Sequence, residues 1–262
     1  MNALVRRFLY EDANFEEVLI LLESDAKKWS EIERIIPEMP KGWFELSRVP
    51  SEDRIEFVRA YWQGRLPFQP KAHAAINRFF ASLDDVGVVL TKEKGKWTAQ
   101  LIYSLMDHSS FFRGLPPVSE KDLADFRNEL NVPFPNDWTS FVRIHNGFGK
   151  LSEIELLPVQ EIPESKRRLM ESFARHGKTV KSGQTIVDPS SLFPFYEVTE
   201  LSSFQCFYAD WYPGNEMGNV YFSGMDESLS DITRIEEWGE NGAFLTFLDW
   251  LVSYLEGMEV AP

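Results

Sequence analysis

The chain has 262 residues, of which 44% are hydrophobic and 14% aromatic. That is enough for one large or two modest cores and excludes a disordered chain. Its formal charge is −14, and a single cysteine, Cys206, excludes an internal disulfide framework and points to a reducing, cytoplasmic setting. The longest aliphatic run, Val18–Leu22, is far too short to span a bilayer, and the two arginines near the start precede no signal-like apolar stretch.

Along the chain, Asn14–Leu22 reads as a helix start, with Asn14 as cap and Glu16 and Glu17 in the first turn. A second helix runs from a Ser51 cap to Gly64, with Ile55, Val58 and Trp62 on one face. A third, from Lys71, carries the stripe Ala75, Ile76, Phe79, Phe80 and Leu83. The period then changes, and two β-rich runs around Lys92–Lys96 form a hairpin with Gly95 in the turn. Residues 1–110 thus read as a mainly helical region with one hairpin. His108–Pro117 reads as a junction because Gly114, Pro116 and Pro117 discourage regular structure.

Beyond it, Ser119 caps a helix with Leu123, Phe126 and Leu130 inward. Pro135 opens another, in which Trp138, Phe141, Val142 and His145 share one face. Asn146 and Gly147 tolerate positive φ and end it, so that the chain can turn into a strand at Ile154–Val159. Pro163–Gly177 reads as a basic amphipathic helix and Lys178–Ser191 as a flexible loop. Ser191–Val198, Phe204–Asp210, Asn219–Gly224 and Ile232–Trp238 read as four strands of an antiparallel meander. A closing helix from Asn241 buries Phe244, Leu245, Phe247, Leu248, Leu251, Val252 and Leu255.

The stretch from Pro116 to Gly149 resembles the SUKH superfamily. The resemblance rests on Phe134-Pro135, Trp138, Phe141-Val142 and the closing Asn146-Gly147. Phe134 stands where leucine is usual and Trp138 where tyrosine is usual. The glycine-bounded strand around Asn219–Gly224 and the final helix extend the likeness over about residues 115–257. The expected architecture is α+β: a SUKH-like domain at 115–258, made of two helices, an antiparallel sheet and a closing helix, after the 1–110 region. The resemblance implies a non-enzymatic protein-binding role. Bacterial members are regarded as immunity proteins that neutralise polymorphic toxins, frequently nucleases, and the fungal relative is a regulator of cell-wall assembly. It also implies that the signature residues serve the fold, with no catalytic residues and no cofactor.

The residues themselves offer little chemistry. His73, His108, His145 and His176 have no paired metal spacing, one cysteine cannot build a structural zinc site, and Cys206 reads as a buried inert thiol. Charge is unevenly spread. Residues 182–262 hold one basic residue, Arg234, against 14 acidic ones, which disfavours nucleic acid and favours a basic protein partner. The candidate contacts are Trp211 and Tyr212, in a turn, and the acids Asp226, Glu227, Asp231, Glu236 and Glu237. A solvated acidic surface that only aids solubility is the plainer alternative. The local basic stretch Ser165–Lys181 could contact nucleic acid or an acidic partner, or its basic residues could pair with neighbouring acids.

Overall fold

The computed structural model describes residues 1–21, 28–151, 153–176, 180–226, 228–234 and 241–257. Packing divides the chain into two compact units: Met1–Leu66 with Ile76–Ser119 and Val142–Ile154, and Pro67–Ala75 with Glu120–Phe141 and Glu155–Pro262. Among the described residues no helix is long and apolar enough to cross a membrane.

The first unit is built on a five-stranded antiparallel sheet, in the order β1 (Glu17–Ile20), β2 (Leu83–Glu93), β3 (Lys96–Leu105), β4 (Phe111–Gly114) and β5 (Phe148–Lys150). The long hairpin β2 (Leu83–Glu93) and β3 (Lys96–Leu105) is its centre. Lys94 and Gly95 make the tight turn, both with positive φ (49° and 76°), as a two-residue hairpin loop requires. Nearly all of β2 is buried because both faces are covered. On one side α1 (Ala3–Arg7) and the turn after it place Val5, Phe8 and Leu9 against Val89, Ile102 and Phe111. On the other, Trp62 of α4 (Ser51–Arg65) meets Phe79 and Phe80 of α5 (Pro70–Ala81), Tyr103 and Phe148 in an aromatic cluster. The N-cap of α4 is Pro50. Ser51 lies at the first helical position, where its hydroxyl donates to the Asp84 carbonyl and the Asp85 carboxylate. Asp85 also holds the buried Arg54 at 2.6 Å, so a polar clamp fixes the start of α4 to the start of β2.

Two expectations change here. Glu17–Ile20 is a strand, β1, not part of a helix: it pairs with β2 from Glu17↔Lys92 to Ile20↔Val89, and Leu22 lies outside the described residues. A run of consecutive aliphatics does not distinguish helix from strand, and the open edge of β2 decides it. Phe111–Gly114, expected within a junction, is β4, which bridges β3 and β5 (Phe148–Lys150).

The second unit carries a four-stranded antiparallel sheet, β8 (Leu192–Val198), β9 (Ser203–Tyr208), β10 (Asn219–Ser223) and β11 (Ser228–Leu229), with β11 and β8 at the edges. Alternation gives the sheet two apolar faces. Phe204, Cys206, Val220 and Phe222 pack with Leu169 and Phe173 of α8 (Ile162–His176). Phe207 points the other way, to Phe134 and Trp138 at the head of α7 (Asn136–Val142). Phe195 and Phe247 pack on that same side. Phe247 opens the closing helix α9 (Phe247–Leu255), and Thr246 caps it by accepting the Asp249 N–H.

Local readings differ here too. The Ile154–Val159 stretch makes only a bridge, Leu156 to Tyr196. Within the expected loop, β6 (Lys181–Ser182) and β7 (Thr185–Ile186) form a small hairpin. The fourth strand is Ser228–Leu229, because β10 reverses within four residues. Residues 232–234 form a turn, and 235–238 lie outside the described residues.

The signature residues are structural. Phe134, Trp138, Phe141 and Val142 are buried. The helix ends at Val142 rather than at Asn146-Gly147, so His145 lies beyond it, and Gly147 at φ 116° turns the chain into β5. Gly147→Ala is expected to lower stability by about 1 kcal/mol, since a Cβ is strained at that φ. Trp138→Ala is expected to cost about 3–5 kcal/mol. Urea unfolding of both variants measures this, and a smaller loss for Trp138→Ala than for Gly147→Ala would contradict the packing role.

Candidate functional site

Among the described residues, part of the α9-facing side of the second sheet borders a cavity. Beyond Phe207 the same face continues as Ser203 and Gln205 of β9 and Tyr221 and Ser223 of β10, which floor an open cavity of about 410 Å³. A β-bulge builds its wall. Pro194 pairs with Cys206 and Tyr196 with Gln205, leaving Phe195 as the extra residue. The bulge turns two successive side chains to one face: Phe195 enters the core against Phe207 and Trp250, while Tyr196 lines the cavity. Trp250 and Tyr254, one turn apart on α9, stack at 5.2 Å and 13° and meet the Tyr196 ring. Glu155 closes this corner, accepting the Tyr254 hydroxyl at 2.8 Å and the Tyr196 hydroxyl at 3.4 Å. The far lip carries Leu201 (46% exposed) and Met225 (69% exposed).

The described candidates named from sequence, Trp211, Tyr212, Asp226 and Asp231, are not gathered into one place. Trp211 is half-buried and packs against the α8-side cluster; its indole lies on Gly218, where an added Cβ would come within 2.4 Å of the ring. Tyr212 stays 46% exposed. Both belong to the β9–β10 connection, whereas Asp226 lies in the β10–β11 connection, at the other end of β10. Asp226 accepts the Ser223 hydroxyl at 3.1 Å, which places it at the lip of the cavity. Asp231 accepts the Thr233 N–H and hydroxyl, so it serves a turn. Glu227, Glu236 and Glu237 lie outside the described residues. On α8, Arg167 pairs with Glu164 and Glu171, and Arg168 is bidentate to the buried Glu197 at 2.6–2.7 Å. The basic stretch is therefore largely satisfied from within. Cys206 is buried, and desolvation pushes its thiol pKa up.

The order of these elements, two helices, a meander with glycine at both ends of β10 and a closing helix, is also a matter of lineage. The sequence model of the SMI1 / KNR4 family (SUKH-1) matches residues 117–249, just over half of the chain. The chain belongs to the SMI1/KNR4 family. The "Uncharacterized protein YnaB" of Bacillus subtilis (strain 168) is 38% identical over 48 residues, 18% of this chain. That match spans about a third of the relative's length. The cavity described above is lined by residues within the matched 117–249 and by Trp250, Ser253 and Tyr254 just beyond it.

Tyr196, Trp250, Tyr254 and Glu155 were not singled out from sequence. The one legible signal is Pro194 inside a strand run, since proline within a sheet marks an edge or a bulge. The two most perturbed groups near the signature helix are fully engaged core groups rather than reactive ones. Asp137 accepts the Trp138 N–H at 2.8 Å and the Leu248 N–H at 3.0 Å, and burial raises its pKa from 3.8 to about 6. His145, in the first unit, donates from Nδ1 to the Leu115 carbonyl and accepts the Tyr103 hydroxyl at Nε2. That hydroxyl accepts the Trp62 indole N–H. Burial lowers the His145 pKa from 6.5 to about 4.

These shifts oppose each other. Between about pH 4 and 6 the folded state keeps on Asp137 a proton that the unfolded chain has released, so this group makes stability fall as pH rises. Over about pH 4 to 6.5 the unfolded chain protonates His145 and the folded state does not, so this group makes stability rise with pH. Asp137→Asn is therefore expected to steepen the rise of stability with pH across this window by up to about 1.4 kcal/mol per unit, and His145→Gln to tilt it the other way by a similar amount. Urea midpoints at several pH values test this, and variant profiles parallel to the parent's would contradict it.

Proposed function

We propose that this chain is a non-enzymatic protein-binding protein of immunity type, which neutralises a basic toxin of the nuclease class. Membership of the SUKH-1 family supports a protein partner, because bacterial relatives are regarded as immunity proteins. The charge distribution carries the choice of a basic one: 14 acidic residues against Arg234 alone in the last 81 positions. A face that holds phosphates is rich in Lys and Arg, and an acidic surface can stand in for the substrate's phosphates and steer the approach. Asp226, Glu227, Asp231, Glu236 and Glu237 supply this field, and Tyr212 supplies an exposed aromatic contact beside Trp211. The chain acts by occupying its partner's surface and needs no cofactor.

The partner is to be isolated on the immobilised chain and expressed alone and together with it. Under this reading the partner alone arrests growth and co-expression restores it. A partner harmless on its own would instead favour a regulatory interaction protein of the cell-wall-assembly type. Charge reversal at Asp226, Asp231 and Glu236 is expected to slow association roughly tenfold at low salt, with the defect shrinking as ionic strength rises, since screening acts over about 8 Å at physiological salt. Neutralising Asp12 or Glu31 is expected to change little. Equal behaviour of the two sets, or binding indifferent to salt, would reduce the acidic surface to a solubilising role.

A further inference from the structure

We infer that the open cavity on the second sheet's α9-facing side is a docking groove for a short extended segment of the partner protein, one that presents an apolar or aromatic side chain between two basic ones. This deepens the protein-binding reading above and rests on it; it assigns the anchor to this groove rather than to the Trp211–Tyr212 turn.

Three observations define the occupant. First, shape: the groove crosses the sheet from Glu155, beside β8, over β9 to Ser223 and Met225 at the end of β10. Three inter-strand spacings of about 4.8 Å give a length of about 14 Å, which is roughly four extended residues. Second, surface: one wall is Tyr196 and Tyr254 backed by Trp250, and the opposite lip is the exposed pair Leu201 and Met225. An apolar side chain seated between them would cover the exposed thioether and the tyrosine edges together, above a floor in which Tyr221 is partly exposed and Ser203 and Gln205 are buried.

Third, charge: a carboxylate stands at each end. Glu155 is set against the two tyrosine hydroxyls, and Asp226 is oriented by its contacts with Ser223. No lysine, arginine or histidine lines the groove among the described residues. Long basic side chains at the two ends of one four-residue extended segment reach toward both carboxylates, and the half-buried tyrosine rings add a cation–π contribution. Two acidic ends around an apolar middle disfavour an acidic peptide and nucleic acid alike.

The probe is an acetylated and amidated Lys-Leu-Phe-Lys tetrapeptide, titrated into the full chain while the methionine methyl resonances are followed by NMR. The Met225 methyl is expected to shift and saturate in the millimolar range, at least tenfold more tightly than with Glu-Leu-Phe-Glu or Lys-Gly-Ser-Lys, and more weakly in high salt. Leu201→Lys and Met225→Lys alter only exposed side chains; each is expected to weaken the Lys-Leu-Phe-Lys interaction at least tenfold, whereas Ile186→Lys, exposed elsewhere on this unit, leaves it unchanged. Equal response to the three peptides, shifts centred on other methionines, or no Met225 shift at about 5 mM peptide would overturn the groove assignment. A chain that captures its partner equally well as parent and as Leu201→Lys or Met225→Lys would sink this inference and leave the protein-binding reading intact; a parent chain with no protein partner would sink the reading itself.

Discussion

One buried carboxylate joins the two helices that close the second sheet. Asp137 sits in the first turn of α7 and accepts the N–H of Trp138; its other oxygen accepts the N–H of Leu248, in the first turn of α9. Two helix N-termini thus share one anion, which is the favourable sign for both dipoles. Burial opposes that ionisation. The result is a fixed junction from which Phe141 reaches Phe247 and Trp138 reaches Phe207. With the packing of Phe247 and Trp250 on Phe195 it sets the position of α9 over the sheet, and so where Trp250 and Tyr254 stand.

From that junction the sheet face divides. Near Asp137 it is a closed aromatic core; farther along β9 and β10 the inward side chains become Ser, Gln and Tyr, and the covering helix has only its last turns to offer. The bulge at Phe195 marks the change, sending one ring into the core and the next to its border. Polar groups at this border are tied down: Gln205 donates to Asn219 and to the Gly242 carbonyl, and Asn219 donates to the Thr246 carbonyl. These bonds hold the floor and the entry to α9 in one register, so the open surface is a rigid one.

Much of this architecture was legible in the residues. The stripe Trp138, Phe141 and Val142, the turn at Gly147 and the runs that became β8, β9 and β10 follow from periodicity and from glycine and proline placement. What was not legible depended on non-local partners. Val18–Ile20 is a strand because β2 has an edge to fill. Trp211 and Tyr212, in a turn, left open which was an anchor and which folded back over the sheet edge; Gly218 leaves room for the Trp211 ring to fold back. Asp226 and Tyr212 are close in sequence, yet β10 carries them to opposite ends of the sheet. The wall residues Tyr196 and Tyr254 come from segments more than fifty positions apart, and only the fold brings them together.

The two packing units are interleaved along the chain rather than laid end to end. The sheet of the first unit is complete only when Phe148–Lys150 joins β4, and residues 67–75 are laid down long before the rest of the second unit exists. On a ribosome, which releases the chain from its first residue onward, the first unit must therefore wait with an unfilled edge until residues of the family-matched region have emerged. During that interval β4 presents unpaired backbone groups. Synthesis speed and chaperone occupancy over residues 115–150 thereby become determinants of yield, and a fragment cut between residues 115 and 147 separates β4 from the strand that completes its sheet.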